Sequence, residues 1–394
     1  MYKEVFPYFQ NSSTIYLDNA ATTQKPQDVI DAITEYYTHY CANTHRSSFG
    51  DANRATQEFE KARETIKEYI HAQDVSEIIF TKGVTESINF VATSFAKRFE
   101  TIIISSLEHH SNIVPWQMQE KILHYGLEVV NCDENLDFDM AHFEMLLKTN
   151  PSAFVSITHV SNAFGKIHAL KEIIQLAHKY NTFVLVDMAQ SLAHFPIDVT
   201  DLDADFVALS SHKTFGPTGV GVLYVKKEHL IHLNAYQTGG ATINDVSYEQ
   251  TILLDSPYKY EAGTQNIAGV IGFKAALDFL NKMNWEEVQT YEKALYEYAH
   301  KELSKLDDIL FYNTLDNCIG SLSFNINNIN CEDIGILLDK QHIAVRTGHH
   351  CAQPIMKHLN IKGTVRISLA FYNTKEEIDQ LIIALNKTIG ILKD

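Results

Sequence analysis

Between residues 77 and 225 the chain alternates short, continuously apolar runs with segments of helical spacing, and few folds accommodate that pattern. The runs are EIIF (77–80), TIII (101–104), EVV (128–130), AFVSI (153–157), TFVLV (182–186), DFVAL (205–209) and GVLYV (221–225). Between them, residues 86–96 and 171–180 repeat apolar side chains at helical spacing. A strand with one face in water alternates apolar with polar residues, whereas a strand that is apolar throughout is covered on both faces. The pattern therefore predicts an α/β unit with a mostly parallel sheet between layers of helices.

After about residue 285 the texture changes. A long charged helical segment (285–306) leads to short β-rich runs at 309–312, 321–325, 343–346 and 365–369. The TKEE of 374–377 has the form of a capping box that opens a last helix. This part reads as a smaller α+β domain. A chain of 394 residues, 45% of them hydrophobic, is too long for one compact core. The expected division is a large domain over residues 17–290 and a small domain built from 1–16 and 291–394.

Charge and cysteine usage narrow the function classes. The net charge is −17 and no basic stripe is visible, which argues against nucleic acid or an anionic membrane surface as partner. The opening MYKEVFPYFQ is not a signal peptide, and no apolar run approaches the length of a membrane span. The five cysteines, Cys41, Cys132, Cys318, Cys331 and Cys351, include no CxxC pair and no zinc spacing. A reducing cytoplasm is the expected location, and no metal site is expected. His349 and His350 are adjacent imidazoles, but no third ligand is spaced near them.

In an open α/β sheet, ligands sit beyond the carboxyl ends of the strands. The residues just after each run are therefore informative. The ends carry TKGVTE (81–86), SSLEHH (105–110), THVSN (158–162), DMAQ (187–190) and SSHK (210–213). Five strand ends thus send hydroxyls, imidazoles, amides, a carboxylate and a lysine toward one region. Gly83, Val84 and Thr85 at a helix start suit a phosphate, to which Ser210 and His212 add donors. His109 offers a flat ring, Asp187 a carboxylate for a protonated ring nitrogen, and Lys213 an amine that condenses with an aldehyde. Pyridoxal phosphate needs all of these. The GxGxxG of a nicotinamide site and the GxxxxGK[ST] of a P-loop are absent.

At this point the chain resembles the class-V aminotransferase family of fold-type I pyridoxal-phosphate enzymes. Within it, the chain is most similar to the SUF-type (group II) cysteine desulfurases. The likeness runs nearly end to end through YLDNAATTQKP (16–26), NTHR (43–46), TKGVTESIN (81–89), LEHHSNIVPWQ (107–117), THVSNAFG (158–165), LVDMAQS (185–191), DADFVALSSHKTFGPTGVGVLY (203–224), YEAGTQN (260–266), AVRTGHHCAQP (344–354) and RISLAFYNT (366–374). The RTGHHC stretch is the more specific element, because it places a cysteine in the smaller domain.

The resemblance implies a role for each matching residue. Lys213 carries the cofactor and later moves the Cα proton. Asp187 pairs with the pyridine nitrogen, Gln190 lies near the ring hydroxyl, His109 stacks on the ring, and Asn162 lies near ring and substrate. Thr85, Ser210 and His212 hold the phosphate, joined by Thr264 from the second subunit of a homodimer. Arg366 binds the substrate carboxylate, for which a planar bidentate cation is suited. Cys351 accepts the sulfur of L-cysteine as a persulfide, leaving L-alanine, and passes it to an acceptor protein for iron–sulfur cluster assembly. Arg346, His349 and His350 are close in sequence to Cys351 and would favour its thiolate. The other cysteines lie outside the motifs.

The chain also departs from the family. HRSSFGDA (45–52) replaces the usual HRG-x-H-x-L-S, in a segment that tends to approach the neighbouring subunit's site. TKGVTE and AGTQN replace GTTE and AGTPN while keeping Thr85 and Thr264. Two other functions are compatible with the motifs. One is a selenocysteine lyase-like enzyme. The other is a catalytically silent scaffold of the same fold, against which the intact Lys213, Asp187, Arg366 and Cys351 argue.

Overall fold

The computed structural model describes residues 2–45, 48–312 and 315–393. Strand β1 (Ile15–Tyr16) is followed by β2 (Ile78–Thr81), β3 (Thr101–Ser105), β4 (Gly126–Val130), β5 (Ala153–Thr158), β6 (Phe183–Asp187), β7 (Phe206–Ser210) and β8 (Gly221–Val225). The last seven form one sheet in the order β2-β8-β7-β6-β5-β3-β4. The pairs within β4-β3-β5-β6-β7 are parallel, and β8 runs antiparallel to both of its neighbours. The expected mostly parallel sheet is present, and each of the seven apolar runs supplies one of its strands.

The sheet is covered on both faces. Ile103, Val155, Val186 and Val207 pack into a core with helices Gln27–His39, Gly50–Tyr69 and Ile267–Asn281, while Ile102, Phe154, Leu185 and Phe206 pack into a second core with Val84–Ser94 and Trp116. In the inner strands successive residues enter opposite cores, and for this reason those strands read as apolar without alternation, whereas the edge strand β4 leaves Glu128 and Val129 exposed.

A short hairpin ladder, β9 (Ile243–Val246) with β10 (Thr251–Leu253), leaves Val246, Tyr248 and Ile252 exposed. Strands β11 (Ile309–Phe311) and β12 (Ser321–Ile326), with β14 (Arg346–Gly348) and β15 (Thr364–Ser368), then form a four-stranded antiparallel sheet in the order β11-β12-β15-β14. Strand β13 (Ile343–Ala344) instead pairs in parallel with β1. A separate core of Leu322, Phe324, Val365 and Ile367 packs against helices Trp285–Leu303 and Lys375–Lys393. The last helix starts with the expected capping box: Thr374 N–H donates to Glu377 (3.0 Å), and Glu377 N–H donates back to Thr374 Oγ1 (3.4 Å). Among the described residues no helix is long and apolar enough to cross a membrane.

Candidate active site

The carboxyl ends of β5, β6 and β7 and the loop after β14 open onto one cavity of about 650 Å³. Its lining includes Thr85, His109, Asn162, Asp187, Gln190, Ser210, His212, Lys213, Cys351 and Arg366. The two sheets therefore meet there, with Lys213 delivered by the large one and Cys351 and Arg366 by the small one.

The anion end is built from backbone as much as from side chains. Gly83, at φ 151°, precedes the helix Val84–Ser94, whose N-terminus no side chain caps. The unpaired amides of such a helix start favour an anion. Strand β8 passes so close that a Cβ on Gly221 would lie 2.4 Å from Gly83 Cα and 2.6 Å from the Leu209 carbonyl. Thr85 Oγ1 lies 2.7 Å from Ser111 Oγ, which is 3.0 Å from His109 Nδ1. His109 Nδ1 accepts from the Ser111 amide (3.0 Å), so the ring is neutral with its proton on Nε2. Burial and the neighbouring Lys213 pull its pKa down to about 3.

Asp187, which lines the same cavity, is buried at the end of β6, where its Oδ1 accepts the Ala189 amide (2.9 Å). Burial raises its pKa, opposed by that amide and by Lys213. Glu108 lies fully buried nearby. It accepts from the Ser105 hydroxyl, the Thr158 amide and Asn112, and burial raises it to about 8. Gln190 donates to the Ala20 carbonyl (2.9 Å). Burial also lowers Lys213 to about 8, with Asp187 opposing the shift. The carbonyl of His212, one residue before, accepts from the Thr23 amide (3.1 Å), Thr22 Oγ1 (3.0 Å) and Lys25 Nζ (3.0 Å). The lysine thus stands on a pinned peptide.

Arg366 is 1% exposed; it donates Nη1 to the Asn162 carbonyl (2.8 Å) and Nη2 to Asp18 (2.8 Å). Its Nε and the Asn162 Oδ1 are buried with no partner. Buried polar atoms without partners are costly, and in a cavity wall they mark where a ligand completes the bonding.

Cys351 is partly exposed and sits in a turn where His350 (φ 52°) and Cys351 (φ 54°) are both left-handed. Each such residue costs about 1–2 kcal/mol. The turn is held by the Asn162 amide to the His350 carbonyl (2.7 Å), by the His110 N–H to the Cys351 carbonyl (2.7 Å), and by the Cys351 N–H to His349 Nδ1 (3.1 Å). His350 is buried and bonds Thr364 Oγ1 through Nε2 (2.8 Å), while His349 is exposed. Among the described residues, the close group of potential metal ligands is Asp205, Glu228 and His229, which includes neither.

Thr264 does not line this cavity; it lines two neighbouring cavities of about 470 and 460 Å³. Arg46 and Ser47, in the segment that departs from the family, lie outside the described residues. Reading the sequence missed Ser111 and Asp18. A hydroxyl two residues after His109 was a usable signal for the first. Asp18 lies in the matching stretch 16–26, but nothing local pointed to its role, because its arginine partners lie more than 300 residues away.

Comparison with known proteins agrees with this geometry. Residues 15–381 match the family model described as aminotransferase class-V. A probable cysteine desulfurase of Halalkalibacterium halodurans is 41% identical over 98% of this chain and 97% of its own length. A cysteine desulfurase of Synechococcus elongatus is 43% identical over 95% of this chain, which spans 60% of that longer protein. The apo structure of a cysteine desulfurase from Thermococcus onnurineus superposes with a TM-score of 0.93 at 36% identity, covering 99% of this chain and 97% of the other. The chain belongs to the class-V aminotransferase family and, within it, to the cysteine desulfurases.

Proposed function

We propose that this desulfurase holds pyridoxal 5′-phosphate in the cavity between its two sheets and moves sulfur from L-cysteine to Cys351. The observation that carries the reading is that Lys213 and Cys351, from different sheets, line one cavity with Asp187 and Arg366. The residues present fit the cofactor. The uncapped helix start, with Thr85, Ser210 and His212, suits its phosphate, and the buried Asp187 suits its ring nitrogen. The partnerless Asn162 Oδ1 and Arg366 Nε await polar groups. Bound there, pyridoxal phosphate supplies an electron sink for the charge left when the Cα proton departs.

The chain's own residues do the rest. Arg366 takes the substrate carboxylate. Lys213, whose pKa is drawn down to about 8, takes and returns the Cα proton near neutral pH. Asp187 would pair with the ring nitrogen and favour its protonated form, and His109, a neutral imidazole in the same cavity wall, would lie against the ring. The Cys351 thiolate attacks the substrate sulfur, the bond between that sulfur and Cβ breaks, and its electron pair stays with the carbon fragment. With the protons returned, L-cysteine and the Cys351 thiol become L-alanine and a Cys351 persulfide, without an external oxidant.

The same proposal includes the division into residues 17–290 and 1–16 with 291–394. It also includes a homodimer, supported by Thr264 lying outside the cavity it would serve and by the exposed apolar hairpin β9–β10. The persulfide on the partly exposed Cys351 goes to an acceptor protein of iron–sulfur assembly in the cytoplasm. The test is release of alanine and sulfide from L-cysteine by the loaded enzyme with a reductant. Equal amounts of both products are expected; release of pyruvate in place of alanine contradicts the scheme.

A further inference from the structure

The strand register sets up a conflict beside the cavity. In the antiparallel pair β14–β15, Arg346 stands directly opposite Arg366. Directly opposed residues point to the same face with Cβ atoms about 5 Å apart, and like charges there are destabilising. The chain answers with a third segment. Leu17 donates to the Ala344 carbonyl (2.9 Å) and accepts from the Ser368 amide (2.7 Å), so the stretch after β1 threads between β13 and the end of β15. This delivers Asp18 to both arginines. Its Oδ1 accepts Arg366 Nη2 at 2.8 Å, and its two oxygens accept Arg346 Nε at 3.3 and 3.2 Å. Asp18 itself does not line the cavity.

We propose that Asp18 is the positioning residue of the substrate-carboxylate subsite: it screens Arg346 from Arg366 and aims the guanidinium so that its partnerless Nε faces the ligand. This rests on the reading of Arg366 as the carboxylate anchor. The chain holds Arg366 through Nη1 to Asn162 and Nη2 to Asp18 and gives Nε no partner, which leaves that donor for the incoming carboxylate. One carboxylate between two guanidiniums leaves one positive charge, which matches the single negative charge of an amino-acid carboxylate. Because Arg346 belongs to the strand that leads into the Cys351 turn, the same carboxylate also ties the substrate anchor to the nucleophile's loop.

The test compares two ligands of the loaded enzyme that differ in the carboxylate alone. L-cysteine has it, and cysteamine, used as a competitive inhibitor, lacks it. In Asp18→Asn the KM for L-cysteine is expected to rise at least fivefold, while the Ki of cysteamine changes less than twofold. Asp18→Glu, which keeps the charge, should fall between wild type and Asp18→Asn, and gives a reading if the Asn variant folds poorly. Arg366→Gln serves as reference and should raise the KM for L-cysteine further, again sparing cysteamine. If Arg366→Gln shows this pattern and the Asp18 variants do not, or bind L-cysteine more tightly, Asp18 does not position the anchor. If the Asp18 variants weaken both ligands alike, their role is structural and the proposal fails. If Arg366→Gln itself leaves the KM unchanged, the reading of Arg366 as anchor fails instead.

Discussion

The two walls of the cavity are made differently. On the large-sheet wall, Asp187 and Ser210 end strands buried on both faces, and Lys213 follows on a peptide held by Thr22, Thr23 and Lys25. Moving any of them disturbs two cores. On the small-sheet wall, Cys351 follows a three-residue strand, stands partly exposed, and occupies a left-handed turn closed by a few hydrogen bonds. Each such bond contributes about 0.5–1.5 kcal/mol net, comparable to the strain of about 1–2 kcal/mol per left-handed residue that it offsets. The difference follows the chemistry. Proton transfer requires a base fixed relative to the bond it acts on. Sulfur transfer requires a thiol that first meets the substrate sulfur inside and then an acceptor outside.

Breaking the rigid wall should have the largest effect. Lys213→Ala removes the base and the attachment point together, so alanine formation should fall at least about 10³-fold, within the range of general-base contributions. The variant should also lose the visible absorption of the wild-type enzyme. An unchanged spectrum would mean that another amine holds the cofactor. The same lysine gives a pH signature. Its neutral form is the nucleophile, so cofactor capture by apo-protein should rise with pH through a midpoint of about 8. A midpoint above 10, the ordinary lysine range, would show that burial does not act on it.

Asp187→Asn keeps shape and loses charge. Losing a charge-assisted hydrogen bond costs about 1.5–3 kcal/mol, which is roughly a 10- to 150-fold slowing of Cα-proton exchange with solvent. Exchange at the wild-type rate would remove Asp187 from its assigned role. The small-sheet wall should be gentler. Gly348 has φ 99° with nothing within 4 Å of an added Cβ, so Gly348→Ala introduces conformational strain without a clash. A cost of about 1 kcal/mol, less than tenfold in persulfide formation, is expected, with cofactor absorption unchanged. A loss as large as that of Lys213→Ala would show that the loop is as constrained as the sheet.

Legibility in the sequence divides along the same line. Six of the seven large-sheet strands were readable because burial on both faces leaves continuous apolar runs, the edge strand β4 being mostly exposed, and the polar strand ends pointed to Thr85, His109, Asp187 and Lys213, which all line the cavity. Strand β1 was not readable: two residues, Ile15 and Tyr16, carry no periodicity, and their pairing with Ile343 and Ala344 is purely tertiary. The helix Gly50–Tyr69 was also missed. It is rich in charge, and one of its charges, Arg63, is fully buried against Glu261 (2.7 Å), which composition cannot distinguish from a solvated arginine. The left-handed Cys351 turn and the Arg346–Arg366 register are likewise products of the fold. The matching motif named Cys351, but only the fold brings it to the wall facing Lys213.

The central claim is that the thiol on the small-sheet wall takes the sulfur freed by the large-sheet one. Its most direct measurement is the mass of the Cys351 peptide after the loaded enzyme meets L-cysteine without an acceptor, alongside the alanine produced. Wild type should carry one extra sulfur on Cys351 with an equal amount of alanine. Cys351→Ser should keep the cofactor absorption and bind L-cysteine, yet make neither persulfide nor alanine at a useful rate, even if L-selenocysteine is still turned over. Alanine from L-cysteine at the wild-type rate in Cys351→Ser, or the extra sulfur on another cysteine, would contradict it.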